Sequence, residues 1–172
     1  PEMCLMRPEG VTIHFARMDY ALPAHIKKFD DTNIKTIENL MSDLNNGAER
    51  AAYQLSTAKV DAIAYACTMG SFIRGSAADK ELLITIQKVS GVNAVTTSTA
   101  ALRAFRKMRV KNIALATPYS TSGSNRLKTY FEKNGIRIRG HKSIELPLLE
   151  IAKVTKEMLY HLVIEANHAE AE

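Results

Sequence analysis

Apolar and polar positions follow two alternating periods along this chain, and the switches between them mark its elements. Val11-Thr12-Ile13-His14-Phe15 alternates with period two, the pattern of a half-buried strand. Ile34, Ile37, Leu40, Met41 and Leu44 then recur at helical spacing. Gly47 interrupts that face, and Ala48, Ala51, Ala52 and Leu55 resume it. Residues 60–66 form a short apolar run whose one acid is Asp61, as expected of a parallel strand covered on both faces. A Gly- and Ser-containing loop is predicted over residues 70–76, and Asp79 can cap a helix with Leu82, Leu83, Ile86 and Val89 inward.

Gly91 ends that helix, and residues 92–97 predict the next strand. Residues 99–108 read as a helix with Leu102 and Phe105 inward, and residues 113–116 as another buried strand. Pro118 keeps Thr117 out of helical geometry, so a loop follows. A helix over residues 124–134 closes at Gly135, a good left-handed terminator. Ile136 and Ile138 mark a fifth strand, and residues 155–168 a last amphipathic helix. Strands alternating with helices through short links imply an α/β fold, a parallel sheet with helices on both faces. Ligands in such folds sit beyond the carboxyl ends of the strands. Three hydroxyl-rich segments fall there: residues 67–71, 96–99 and 117–120.

Composition narrows the class without changing the fold. A chain of 172 residues can bury one core, and 46% hydrophobic with 24% charged residues is ordinary for a globular domain. No apolar run approaches the length of a membrane span and no leader-like segment is seen, so a soluble cytoplasmic protein without a membrane partner is expected. Two cysteines are too few for a disulfide framework, which also suits a reducing compartment. The net charge of +5 would suit an anionic partner. The basic residues gather at Arg103, Arg106, Lys107, Arg109 and Lys111, and again at Arg137, Arg139 and Lys142. Neither group is interleaved with aromatics, so both read as solvated faces and nucleic acid is not an expected partner.

Cys67 is the foremost candidate for chemistry. A thiol leaving a strand end can face a crevice, and the amides that follow it can stabilise a thiolate. The alternative is a buried cysteine that only fills space. Thr96-Thr97-Ser98-Thr99 offers four hydroxyls to a carboxylate or phosphate, though at least one is accounted for by helix capping. Tyr119 could present its hydroxyl to an oxyanion or cover the edge of the core. His14, His25, His141, His161 and His168 lack metal-ligand spacing, and no glycine-rich nucleotide motif follows a strand. Neither a metal nor an organic cofactor is expected.

Four motifs resemble a known family. They are Pro8-Glu9-Gly10-Val11-Thr12-Ile13-His14-Phe15-Ala16-Arg17-Met18, Asp61-Ala62-Ile63-Ala64-Tyr65-Ala66-Cys67-Thr68-Met69-Gly70-Ser71-Phe72, Val95-Thr96-Thr97-Ser98-Thr99-Ala100 and Ile113-Ala114-Leu115-Ala116-Thr117-Pro118-Tyr119. In this order they resemble the maleate cis–trans isomerase and arylmalonate decarboxylase branch of the Asp/Glu racemase superfamily. The resemblance implies two flavodoxin-like halves related by pseudo-symmetry, with one cysteine from each at the site and no cofactor. It places Cys67 on the first cysteine and Thr68, Met69 and Tyr119 on groups that hold a substrate carboxylate. Thr97 and Ser98 fall on strand-end hydroxyls of the same pocket.

The resemblance further implies an opening strand with a Ser-Asn motif ahead of Pro1 and a second cysteine motif beyond Glu172. Residues 1–172 are therefore expected to form one α/β domain, the first half of such a protein, with the start of a connection to the second. An asparagine usual in the isomerases is replaced by leucine near Leu146-Pro147-Leu148-Leu149. The activity expected is isomerisation of a small dicarboxylate by a Cys67 thiolate, in a homo-oligomer. Arylmalonate-type decarboxylation, Asp/Glu-type racemisation and dicarboxylate binding without turnover are the alternatives.

Overall fold

The computed structural model describes residues 2–19 and 33–172. After a short turn of helix, α1 (Glu2–Leu5), the described elements are α2 (Ile34–Asn46), α3 (Ala48–Thr57), β1 (Ala62–Tyr65), α4 (Thr68–Phe72) and α5 (Gly75–Ser90). They continue with β2 (Asn93–Thr96), α6 (Thr97–Met108), β3 (Asn112–Thr117), α7 (Thr121–Lys133), β4 (Arg137–Ser143), a 3-10 turn (Leu148–Lys153) and α8 (Lys156–Ala166). The expected α/β alternation with parallel pairing is present. Among the described residues no helix is long and apolar enough to cross a membrane.

Among the described residues the strands pair as two parallel ladders. β1 lies beside β2 with Tyr65 opposite Thr96, and β3 lies beside β4 with a bulge after Ile113. The expected strand at Val11-Thr12-Ile13-His14-Phe15 is not formed. These residues have no ladder, and Val11 and Phe15 are 45% and 61% exposed. Period-two alternation chooses which face would be buried, but a strand also needs a neighbour for its backbone groups. Across from them runs a groove of about 840 Å³ whose walls include Val11, Ile13, Phe15 and the small side chains of Ala62, Ala64 and Ala66. β1 is accordingly buried on one face only, through Ile63 and Tyr65, and not on both.

Two apolar clusters hold the elements together. Ile37, Leu40, Met41 and Leu44 of α2 pack with Met69 and Phe72 of α4, Leu102, Ile113, Leu115, Leu127 and Phe131. Ala48 and Ala52 of α3 pack with Ile63, Tyr65, Leu82, Ile86 and Ala94. Cys67 is partly buried against both clusters, so the end of β1 sits at their seam.

Asp79 does not cap a helix. α5 starts at Gly75, whose φ of +84° turns the chain into it, so Asp79 lies one turn inside and is 4% exposed. There it accepts hydrogen bonds from Thr99 Oγ1 at 2.8 Å and Tyr130 Oη at 3.1 Å. Gly91 and Gly135 do take positive φ where their helices end. The last helix buries Leu162 and Ala166 and leaves Leu159, Tyr160, Val163 and Ile164 exposed.

Candidate active site

Cys67 follows β1 in extended conformation (φ −121°, ψ 101°) and forms the N-cap of α4. The carbonyl of Cys67 closes the first turn by accepting from Ser71 N at 3.2 Å. The leading amides of that turn have no acceptor within the helix, as at every helix start. The thiol is half-buried and in no disulfide, and Cys4, the other free cysteine, is exposed.

Tyr119 meets this turn from the β3–α7 loop. Its ring stands 5.8 Å from that of Phe72, and its hydroxyl is hydrogen-bonded by the Thr68 side chain. Burial raises the Tyr119 titration; the Thr68 bond opposes this and the nearby Cys67 charge adds to it, so the phenol keeps its proton. Its backbone is pinned as well: the Tyr119 carbonyl accepts from Ser143 Oγ at the end of β4 and from Ser124 Oγ at 3.4 Å. Ser124 Oγ also pairs with Thr117 Oγ1 at 2.7 Å inside the core.

The second hydroxyl group is organised by Ser71, which is 1% exposed. Ser71 Oγ lies 2.7 Å from the Thr68 carbonyl, 2.6 Å from Ser98 Oγ and 3.2 Å from Thr97 Oγ1. A carbonyl only accepts, so the single Ser71 proton goes to Thr68, and Ser98 and Thr97 donate to Ser71. This hub ties the turn after Cys67 to the start of α6. Thr96 Oγ1 caps α6 by accepting from Thr99 N at 3.1 Å.

Each sequence-predicted residue thus has a definite place. Cys67, Thr68 and Tyr119 are brought together at one strand end. Thr97, half-buried, and Ser98 join them through Ser71. Ser98 is 1% exposed, and its hydroxyl is engaged inside the protein. Met69, inside the α4 turn, is 5% exposed and packs its side chain into the core. The groove along β1 reaches Ala66 but is not walled by any of these six residues.

Two groups beside Cys67 escaped the sequence reasoning. Tyr65 Oη hydrogen-bonds Asn45 Oδ1 at 2.5 Å, and Asn45 Nδ2 donates to the Gly70 carbonyl at 3.1 Å. Tyr65 also contacts the Cys67 side chain. Its spacing of two from Cys67 was a usable signal, since alternate residues of an extended segment share a face. Asn45, on another helix, gave none. Among the described residues no three His, Cys, Asp or Glu side chains converge as a metal set, and His25 lies outside those residues.

The family model of arylmalonate decarboxylase matches residues 33–172. A maleate isomerase of Pseudomonas putida is 24% identical over 147 residues, which are 83% of this chain and 54% of that protein. An arylmalonate decarboxylase of Bordetella bronchiseptica is 30% identical over 100 residues, 58% of this chain and 42% of that one. The chain spans about half the length of these curated relatives. Among solved structures, a Nocardia farcinica maleate cis–trans isomerase, a C194S mutant with a covalently bound succinylcysteine intermediate, superposes with a TM-score of 0.79. That match is 18% identical and covers 97% of this chain and 66% of the other.

Proposed function

Because the chain belongs to the arylmalonate decarboxylase family, in the maleate isomerase and arylmalonate decarboxylase branch of the Asp/Glu racemase superfamily, we propose that it carries one half of a cofactor-independent cysteine isomerase acting on a small cis-dicarboxylate. The observation that carries this is the half-buried Cys67 thiol at the N-cap of α4, with the Thr68–Tyr119 pair beside it. In this reading the Cys67 thiolate adds to one carbon of the double bond and forms a C–S bond. The π electron pair moves to the other carbon and into its carboxylate. Rotation about the new single bond follows, and collapse of the carbanion re-forms the double bond as trans while sulfur leaves as thiolate.

Neutral donors serve this sequence well. Tyr119 Oη, the Thr68 hydroxyl and the amides of the α4 turn can hold a carboxylate as negative charge builds on it. Thr97 lies at the same edge, and Ser71 and Ser98 hold it and the turn in register. Residues 1–172 form one α/β domain in this account, and the exposed apolar face of α8 suits the connection to a second half or a subunit contact. Two unpaired thiols suit the reducing cytoplasm.

The test is incubation of the full-length protein with maleate, with fumarate followed by proton NMR. Growth of fumarate that is abolished in Cys67→Ser supports the isomerase. No fumarate from the folded full-length protein overturns it. Arylmalonate decarboxylation is the second reading, favoured by the family match and by leucine at Leu148, and carbon dioxide release from an arylmalonate would establish it.

A further inference from the structure

We propose that Tyr65 controls the ionisation of Cys67: its one hydroxyl proton sits on Asn45 while Cys67 is a thiol and turns onto the sulfur when Cys67 becomes a thiolate. This rests on Cys67 being the reactive thiol of the function proposed above, and it adds a group that contacts the reacting atom.

Backbone geometry places the pair. β1 ends at Tyr65 and Cys67 remains extended, so the two side chains share one face of the strand. Tyr65 is 4% exposed and its side chain lies beside that of Cys67. The glycine at position 70 is what lets that hydroxyl lie against the α4 turn, because any Cβ there would overlap Tyr65 Oη.

The second acceptor is fixed in orientation. Asn45 Nδ2 lies on the Gly70 carbonyl, which only accepts, so Asn45 must turn its own carbonyl oxygen toward Tyr65. Tyr65 therefore donates to Asn45 Oδ1 at 2.5 Å, which leaves only the lone pairs of its oxygen for the neighbouring Cys67 thiol. When the thiol proton leaves to solvent, the sulfur turns from donor to acceptor. The Tyr65 O–H then rotates from Asn45 to the sulfur, and no proton is transferred from the phenol. Burial first, then the Cys67 charge and hydrogen bond and the Asp79 charge, push the Tyr65 titration far upward, so Tyr65 remains a protonated donor throughout. The titratable neighbours of the pair are Tyr119 from the β3–α7 loop and Asp79 from α5, and both are retained in the variants below.

The two partners of the phenol pull in opposite directions, and this makes the inference testable. Tyr65→Phe removes the donor to the thiolate. Asn45→Leu removes the competitor and leaves the phenol proton free for sulfur. The experiment is iodoacetamide alkylation of the protein across pH 5–10 under conditions of pseudo-first-order excess, with Cys67 and Cys4 peptides quantified by mass spectrometry and Cys4 as internal reference. The midpoint of the Cys67 profile should rise by about one pH unit in Tyr65→Phe, about a tenfold loss of rate near neutrality, as for one charge-assisted hydrogen bond. It should fall in Asn45→Leu, with Asn45→Ala in its place if that variant does not fold. An unmoved midpoint in Tyr65→Phe, or shifts of the same sign in both variants as loosened packing would produce, overturns the proposal. Turnover is measured separately. Opposite shifts without isomerisation would sink the function and leave the hydrogen bond standing; isomerisation with an unmoved profile would sink only this inference.

Discussion

Replacing Gly70 with alanine tests how tightly the turn after Cys67 is built against Tyr65. A Cβ at position 70 would overlap Tyr65 Oη and stand 3.0 Å from Asn45 Oδ1 and 3.2 Å from Tyr65 Cζ. The tyrosine cannot swing freely aside, since it is 4% exposed and packed among Ala48, Ala52, Ile63, Leu82 and Ile86. Overpacking of this kind costs about 1–3 kcal/mol, and losing the Tyr65–Asn45 bond adds about 1 kcal/mol. The gain in helix propensity from glycine to alanine returns at most about 1 kcal/mol. The net expectation is a loss of about 2 kcal/mol, or a Tm lower by roughly 4–8 °C for a chain of this size. Urea and thermal unfolding followed by circular dichroism measure both quantities. The decisive control is the Tyr65→Phe background, where the oxygen the methyl would strike is gone. There Gly70→Ala should cost at least about 1 kcal/mol less, a coupling of the size expected for residues in contact. A Gly70→Ala protein as stable as the parent, or an equal loss in both backgrounds, would refute the packing argument.

Gly140→Ala should be more damaging than Gly70→Ala, because the added Cβ would overlap the backbone carbonyl of Ala166 at the end of α8 rather than a side-chain tip. A loss of more than about 3 kcal/mol is expected in urea unfolding, and a smaller loss than for Gly70→Ala would contradict it. His141 should make stability fall as the solution is acidified. Burial, and then the Lys128 charge, lower its titration from the usual 6.5, and its Nε2 is buried without a partner. Above that value folded and unfolded chains both hold a neutral imidazole. Below it the unfolded chain takes up a proton more readily, so stability is lost as pH falls. Comparing urea midpoints at pH 7.5 and 5.0 checks this: the parent should lose more than His141→Gln, and equal losses would exclude the effect.

The local sequence determined the helices and their buried faces. An apolar stripe at 3.6-residue spacing needs only something to pack on, so Ile37, Leu40, Met41 and Leu44 were legible before any partner was known. Helix ends were legible for the same local reason, since Gly91 and Gly135 supply a backbone conformation that other residues resist. The strands at residues 62–65, 93–96 and 112–117 were readable as apolar runs between turn signals, and the resemblance of four motifs pointed to the family.

Tertiary structure decided whatever depends on a second segment. Val11-Thr12-Ile13-His14-Phe15 has a strand's alternation without a strand, because a ladder requires a neighbouring backbone. Asp79 looked like a cap and is instead a buried acceptor for Thr99 and Tyr130, residues 20 and 51 positions away. Around Cys67, the motifs named the hydroxyls but not their wiring: Ser71 gathers Thr97 and Ser98 across 26 and 27 positions, and Asn45 reaches Tyr65 across 20. Periodicity reports which way a side chain faces. Which group it meets there is set by how the elements pack, and the surroundings of the Cys67 thiol are a property of that packing.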